Sequence, residues 1–267
     1  MSSRQRRIAA TSSGVHLLSC QKVIDQLVGA ARVGDGDLVI DFGAGPGTIT
    51  APLARTGSTV LAVERDTRFV HTLRRRFDDR PTVRVVHDDI RTVRLPRRAF
   101  AVVASIPFAV STPLLRRLLT PATGGFTRAE LVVEWGLAKR LTATRPRDLE
   151  SAWWAARFDL TVRRRIPARC FTPAPRVDAA HLGIRRRSDV DTRTSAILWA
   201  LLSSAFDRPQ APARSTLTGL APRKLTRRLL GDLPGREVHI GQWVELARTM
   251  AADRTVASPR LPKAVIR

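Results

Sequence analysis

Between residues 38 and 134 short apolar runs recur at regular distances, and more polar stretches separate them. LVIDF (38–42), TVLAVE (59–64), TVRVVHDD (82–89), FAVVAS (100–105) and AELVVE (129–134) are short, bounded by turn residues and rich in valine, so each predicts a strand. KVIDQLVGAA (22–31), RFVHTLRRRF (68–77) and STPLLRRLL (111–119) space their apolar residues as a helix does. Strands and helices alternating at this spacing predict an α/β fold with a parallel, doubly wound sheet.

The alternation changes after about residue 150. FDLTVRRRI (158–166) and VDAAHLGIRRR (177–187) have the two-residue period of strands and flank the proline-rich PARCFTPAPR, which predicts a hairpin-like pair at a sheet edge. From 188 the pattern is helical, in TSAILWALLSSAF (194–206), RKLTRRLLGDL (223–233) and EVHIGQWVELARTM (237–250), with Gly and Pro between. The chain thus reads as a polar, basic and mobile arm (1–13), a sheet-bearing domain (14–187) and a small all-helical domain (188–267) with a frayed tail. There is no internal repeat.

Composition narrows the partners. The 267 residues are 43% hydrophobic, enough for an ordinary core, and no run approaches eighteen apolar residues, so no membrane-spanning helix is expected. The basic start lacks the apolar segment of a secretory signal, which points to the cytoplasm. Cys20 and Cys170 stand far apart with no CxxC, which excludes a disulfide scaffold, speaks against a zinc site or any other metal, and leaves two reduced thiols with no role. The net charge of +23, from 46 Lys and Arg against 23 Asp and Glu, attracts polyanions. Only four of the basic residues are lysines, as a GC-rich genome would favour, but codon usage does not explain the shortage of acids. RNA ranks ahead of a membrane surface because no basic amphipathic anchor stands out.

The first strand leads into DFGAGPGT, a glycine turn before a helix start, where backbone N–H groups gather around a ligand. A dinucleotide fingerprint needs glycine at its first, third and sixth positions; here Gly43, Gly45 and Gly47 occur and the sixth position is Thr48. That spacing suits a ligand without phosphates, such as S-adenosylmethionine. Asp41 is placed for its methionine end, Glu64 at the end of the second strand for both ribose hydroxyls, and Asp89 in HDDI for the adenine amine. One such acid alone would read as a helix cap. Three at successive strand ends, beside a glycine turn, read as a cofactor site.

After the fourth strand comes Ser105-Ile106-Pro107-Phe108, which resembles the [N/D]-[I/L/P]-P-[F/Y] motif of amino-methyltransferases. CFTPAPRVD (170–178) resembles the F-x-P-x-P-x-V-D segment of ribosomal RNA adenine dimethylases, and SGVHLLS (13–19) a diverged form of their G-Q-N-F-L motif. With DFGAGPG, VERD and HDDI the resemblance runs in order over roughly residues 12–185, and it is to the KsgA/Erm superfamily, closest to its erythromycin-resistance branch. It implies a Rossmann-like S-adenosylmethionine-dependent methyltransferase sheet with a small C-terminal helical domain. The implied activity is N6 methylation of one adenine in 23S rRNA, free or in the assembling large subunit, by a monomer that blocks macrolides. His16 and Leu18 then belong to the cofactor wall. The departures are Ser105 for the usual Asn, Val15 and His16 for Gln and Asn, and Leu17 for an aromatic. They bear on whether the product is mono- or dimethylated, and on whether the chain is active at all.

The residue types suit that chemistry. The N6 lone pair of adenine is delocalised into its ring, so acceptors aimed at the N6 hydrogens favour the transition state. The Ser105 hydroxyl and the Ile106 carbonyl are candidates, with Pro107 fixing the turn that aims them. Phe108 and Phe171 are candidates to stack on the two faces of the base. The arginine runs 74–76, 116–117, 163–165 and 185–187 are candidate phosphate contacts, and the helical domain is expected to share in RNA binding. Two alternatives stay open: 16S rRNA as substrate, as in the KsgA branch, or a catalytically silent nucleic-acid-binding relative.

Overall fold

The computed structural model describes residues 16–266. The arm assigned to residues 1–13, and the beginning of the 13–19 motif, lie outside these. In chain order the elements are β1 (Leu17–Leu18), α1 (Gln21–Ala31), β2 (Leu38–Phe42), α2 (Thr50–Ala54), β3 (Thr59–Glu64), α3 (Thr67–Arg76), β4 (Val83–His87), β5 (Phe100–Ser105) and α4 (Phe108–Leu119). They continue as β6 (Phe126–Glu134), α5 (Trp135–Leu141), α6 (Leu149–Arg157), β7 (Phe158–Ile166), β8 (Phe171–Thr172) and β9 (Ala179–Arg186). Five helices follow: α7 (Thr192–Asp207), α8 (Ala213–Thr216), α9 (Arg223–Leu230), α10 (Ile240–Ala252) and α11 (Lys263–Ile266).

Seven strands form one sheet in the order β4-β3-β2-β5-β6-β9-β7. Ladders from β4 through β6 are parallel, and β9 runs antiparallel to both β6 and β7, so the expected strand pair closes one edge. The first strand and its neighbours are apolar on both faces because both are covered. Val39, Val60, Val103 and Val132 turn towards α1 and α2, while Ile40, Phe42, Val102 and Leu131 turn to the other side, onto α4 and α6.

That second core is continuous with the C-terminal helices. Trp153 of α6 meets Trp199 of α7 edge to face at 5.2 Å, and Trp243 of α10 is fully buried in the same cluster. Arg157, only 2% exposed, is part of this core, where its guanidinium donates to the carbonyls of Leu119, Thr120, Pro121 and Ala122. It thereby closes the carboxyl end of α4, where orphan carbonyls and the helix dipole favour a cation. Among the described residues no helix is long and apolar enough to cross a membrane.

A second, two-stranded sheet matters for the site. β1 pairs antiparallel with β8, Leu17 opposite Thr172 and Leu18 opposite Phe171. Ser19 N–H donates to the Cys170 carbonyl at 2.8 Å, and the His16 ring contacts the Pro173 carbonyl through Nδ1 at 2.8 Å. Two sequence motifs about 150 residues apart are therefore joined by backbone hydrogen bonds. The same junction brings Cys20 and Cys170 together as half-buried free thiols.

Candidate active site

Parallel strands put their carboxyl ends along one edge, and the turns that leave them make a cleft there. The turn after β2 carries the three glycines, all with positive φ (72°, 54° and 85° for Gly43, Gly45 and Gly47). A side chain at Gly43 would press on Pro107 at 3.4 Å, and one at Gly47 on Leu73 of α3 and on Phe77 just after it, both at 3.0 Å. Gly43 thus lets the turn approach the Ser105–Phe108 loop, whereas Gly47 serves helix packing. His16, Leu18, Asp41, Gly43, Ser105 and Pro107 line one cleft together, with β1 forming part of its wall.

Asp41 is 1% exposed and accepts a 2.6 Å hydrogen bond from the Thr50 hydroxyl. Burial, with the nearby Glu64 charge adding to it and the Thr50 bond opposing it, pushes its carboxyl up to about 7. Glu64 does not cap α3; Asp66 does, through Arg68 N–H. The Glu64 carboxylate instead accepts from Gly45 N–H at 2.8 Å through Oε2, and from Arg65 and Asp66 N–H, both at 2.8 Å, through Oε1. A donor that a dinucleotide site would turn to pyrophosphate is here bonded to a carboxylate. The turn repels a phosphate and suits a neutral ribose or a cationic group.

Asp89 sits beyond β4, outside the lining of that cleft. Arg91 grips both of its oxygens, and these hydrogen bonds hold it at about 2. It is ionised at any working pH, but it shares its acceptor capacity with that arginine.

Ser105 ends β5 half-exposed, and its hydroxyl has no hydrogen-bond partner among the described residues. Ile106 is buried, with its N–H donated to Val132, so its side chain anchors the loop. Pro107 caps α4, and Phe108 opens that helix half-buried, its ring 6.4 Å from the His16 ring. Phe171 is placed differently from the expectation of an open stacking platform. It is 4% exposed in the core beside Leu18, Val23 and Ile24, and β8 pairing holds it there. A ring so enclosed has no free face for a base in this conformation.

Most of the arginine runs are already engaged. Arg163 pairs with Glu130, Arg165 with Asp178, Arg187 with Asp189 and Arg116 with Glu150, while Arg117 donates to the Ile90 and Val93 carbonyls. Arg74 and Arg75 on α3, and Arg223, Lys224, Arg227 and Arg228 on α9, are exposed and form no ion pair among the described residues. One group at the same edge escaped the sequence reading. Trp135, half-buried just past β6, lies against Lys139 and Arg165 at 5.9 and 5.4 Å, and its backbone N–H donates to the Asp178 carbonyl. The signal for it was an aromatic directly after a strand end.

Residues 8–231 match the family model for ribosomal RNA adenine dimethylase. An rRNA adenine N-6-methyltransferase of Bacillus licheniformis is 32% identical over 246 residues, which cover 89% of this chain and 86% of that one. Ribosomal RNA small subunit methyltransferase A of a Synechococcus strain is also 32% identical, over 92% of this chain and 95% of its own. Among solved structures, the 23S rRNA methyltransferase ErmE superposes with a TM-score of 0.75 over 86% of this chain and 98% of that one. At 23% identity that likeness establishes the shared fold.

Proposed function

The chain belongs to the ribosomal RNA adenine dimethylase family, and from that premise we propose that it transfers a methyl group from S-adenosylmethionine to N6 of one adenine in 23S rRNA, as a macrolide-type resistance determinant. Adenine-N6 methylation of rRNA is the activity the family carries. One observation carries the cofactor reading: the glycine turn gives its Gly45 N–H to Glu64 and faces Ser105 and Pro107 across a cleft floored by buried Asp41.

Bound there, S-adenosylmethionine supplies an electrophilic methyl group on a sulfonium. Glu64 keeps lone pairs for the ribose hydroxyls, Asp41 sets a carboxyl by the cationic end, and Asp89 offers an acceptor to the adenine amine. His16 and Leu18 wall the cleft. On the substrate side the Ser105 hydroxyl and the Ile106 carbonyl accept from N6 and draw charge from it as the bond forms. Phe108 stacks on the base, a contact worth roughly 1–3 kcal/mol that offsets the cost of extruding it. Positioning supplies most of the acceleration, since no covalent enzyme intermediate is needed. The unpaired cations of α3 and α9, together with Trp135 and its two cations, are the phosphate and base contacts we assign to RNA, which gives the C-terminal helices (188–267) their part.

Support for 23S over 16S rRNA comes from Ser105 in the catalytic loop and from the high positive charge. Relatives of both kinds are about equally similar, so 16S rRNA is the second reading. Labelled methyl transfer to protein-free 23S and 16S rRNA in parallel, followed by nucleoside separation, decides between them. Label in N6-methyladenosine from 23S alone is expected. Label from 16S alone moves the enzyme to the small-subunit branch, and S-adenosylmethionine binding without label on either RNA or on ribosomal particles marks a silent binder. The same assay tests Ser105: Ser105→Asn, with a longer acceptor arm, is expected to raise the dimethyl fraction severalfold. An unchanged mono-to-dimethyl ratio would show that this position does not set the product.

A further inference from the structure

At the opposite end of the sheet, where β5 and β6 begin, a pocket of about 570 Å³ opens under the strap Arg94–Arg97. Phe100 starts β5 and Ser105 ends it, so the pocket lies roughly 16 Å from the catalytic loop at the rise of a strand. Its volume is in the range of small-ligand sites. A neighbouring hollow of about 480 Å³ continues beneath the same strap, with Ile40, Phe42 and Val63 in its lining.

The chemistry of the first pocket is one-sided. Four arginines line it (94, 97, 117 and 186) and, among the described residues, no carboxylate does; Asp88 lines the adjoining hollow. Arg117 is committed to the Ile90 and Val93 carbonyls, whereas Arg94 and Arg97 are exposed and form no ion pair among the described residues. Arg186 gives its Nε to the Phe126 carbonyl at 2.9 Å, but its Nη2 is buried without a partner. An unsatisfied guanidinium nitrogen is costly. It also stands near Arg157, a buried arginine whose hydrogen bonds all go to carbonyls. Burial pulls both below the usual arginine range, Arg157 to about 9 with the charge of Arg186 adding to the fall, so both are cationic at neutral pH. A buried and a half-buried cation side by side, with no carboxylate among the described lining residues, favour an anion in the pocket. The remaining wall is apolar, from Leu95, Pro96, Phe100 and Phe126.

We propose that this pocket binds a small organic phosphate, its phosphoryl group on Arg97 and the guanidinium of Arg186, its apolar or planar body along the Leu95–Pro96 strap. The site is independent of the methyl-transfer centre. An inorganic anion would satisfy the arginines but leave the apolar wall in water, so the organic body adds affinity.

Phenyl phosphate is the probe, because an adenine nucleotide would also compete for the cofactor site. Calorimetric titration of the full chain is expected to show saturable one-to-one binding, about tenfold tighter than inorganic phosphate, with no binding of phenol. Arg97→Gln and Arg186→Gln are each expected to weaken it about tenfold, the loss of one charge-assisted contact. Arg254→Gln, an equal charge change at an exposed position elsewhere, should leave it unchanged. Arg97 is exposed, so its variant keeps the test valid even if Arg186→Gln unfolds. Non-saturable binding, phenyl phosphate no tighter than phosphate, or equal affinity in Arg97→Gln and the parent would each overturn the proposal. So would an equal loss in Arg254→Gln, which would mean only the overall charge is felt.

Discussion

Glu64→Ala is expected to weaken binding of S-adenosylmethionine about a hundredfold, while Phe108→Ala leaves that affinity within a factor of three and lowers transfer to RNA ten- to a hundredfold. Hydrogen bonds to a charged acceptor contribute about 1.5–3 kcal/mol each, and two ribose hydroxyls lose theirs with Glu64. The substitution also strips an acceptor from three N–H groups, those of Gly45, Arg65 and Asp66, so the glycine turn itself loosens. A fall in melting temperature is therefore part of the expectation, and Glu64→Gln, which retains one oxygen acceptor, is expected to fall between parent and alanine variant. Phe108 stands on the other side of Pro107, at the first position of α4, and its removal costs the stacking contact alone. Calorimetry for the cofactor and single-turnover transfer for the RNA separate the two effects. Equal loss of cofactor affinity in both variants would remove Phe108 from the target base and place it against the cofactor.

The sheet was legible because its signal is local. Strands such as 38–42, 59–64 and 100–105 are apolar on both faces and bounded by turns, so their ends agree with the structure to the residue. The glycine turn and Glu64 were legible as a set for the same reason, each lying at a strand end. What the sequence hid are pairings across long separations. Nothing near Leu18 signals that Phe171 lies opposite it, and that pairing is what buries Phe171 and brings Cys20 to Cys170. Charge misled in a second way. Arginine in a run reads as a solvated face, yet Arg157 is core and Arg163, Arg165 and Arg187 are tied to carboxylates, because a guanidinium on a long apolar stem buries well once its donors are met. The exposed cations without an ion pair among the described residues are consequently fewer than the composition suggests, and those on α3 and α9 are the ones we propose for RNA.

Asp41 gives the largest pH effect between pH 4 and 8. The native carboxyl holds its proton up to about pH 7, whereas the unfolded chain releases it near 3.8. Between those values the native state binds more protons than the unfolded one, so stability falls as pH rises and the contribution is fully lost above pH 7. A difference of this size corresponds to stability on the order of 4 kcal/mol. Asp41→Asn carries no such penalty and keeps an oxygen to accept from the Thr50 hydroxyl. The variant is expected to match the parent near pH 4 and to exceed it by a few kcal/mol at pH 8, in urea unfolding followed at both values. The difference between the two proteins isolates this carboxyl from every other titrating group. A parent-minus-variant difference that stays flat from pH 4 to 8 would show that Asp41 ionises normally and is reached by water. The cost of that stability is function: a neutral amide gives nothing to a cationic ligand end. Cofactor affinity of the parent is therefore expected to rise from pH 5.5 to 8, as binding drives the proton off Asp41, while that of Asp41→Asn stays low and level. A buried acid kept at the floor of the cleft despite its expense to folding is what a site built for a cation requires.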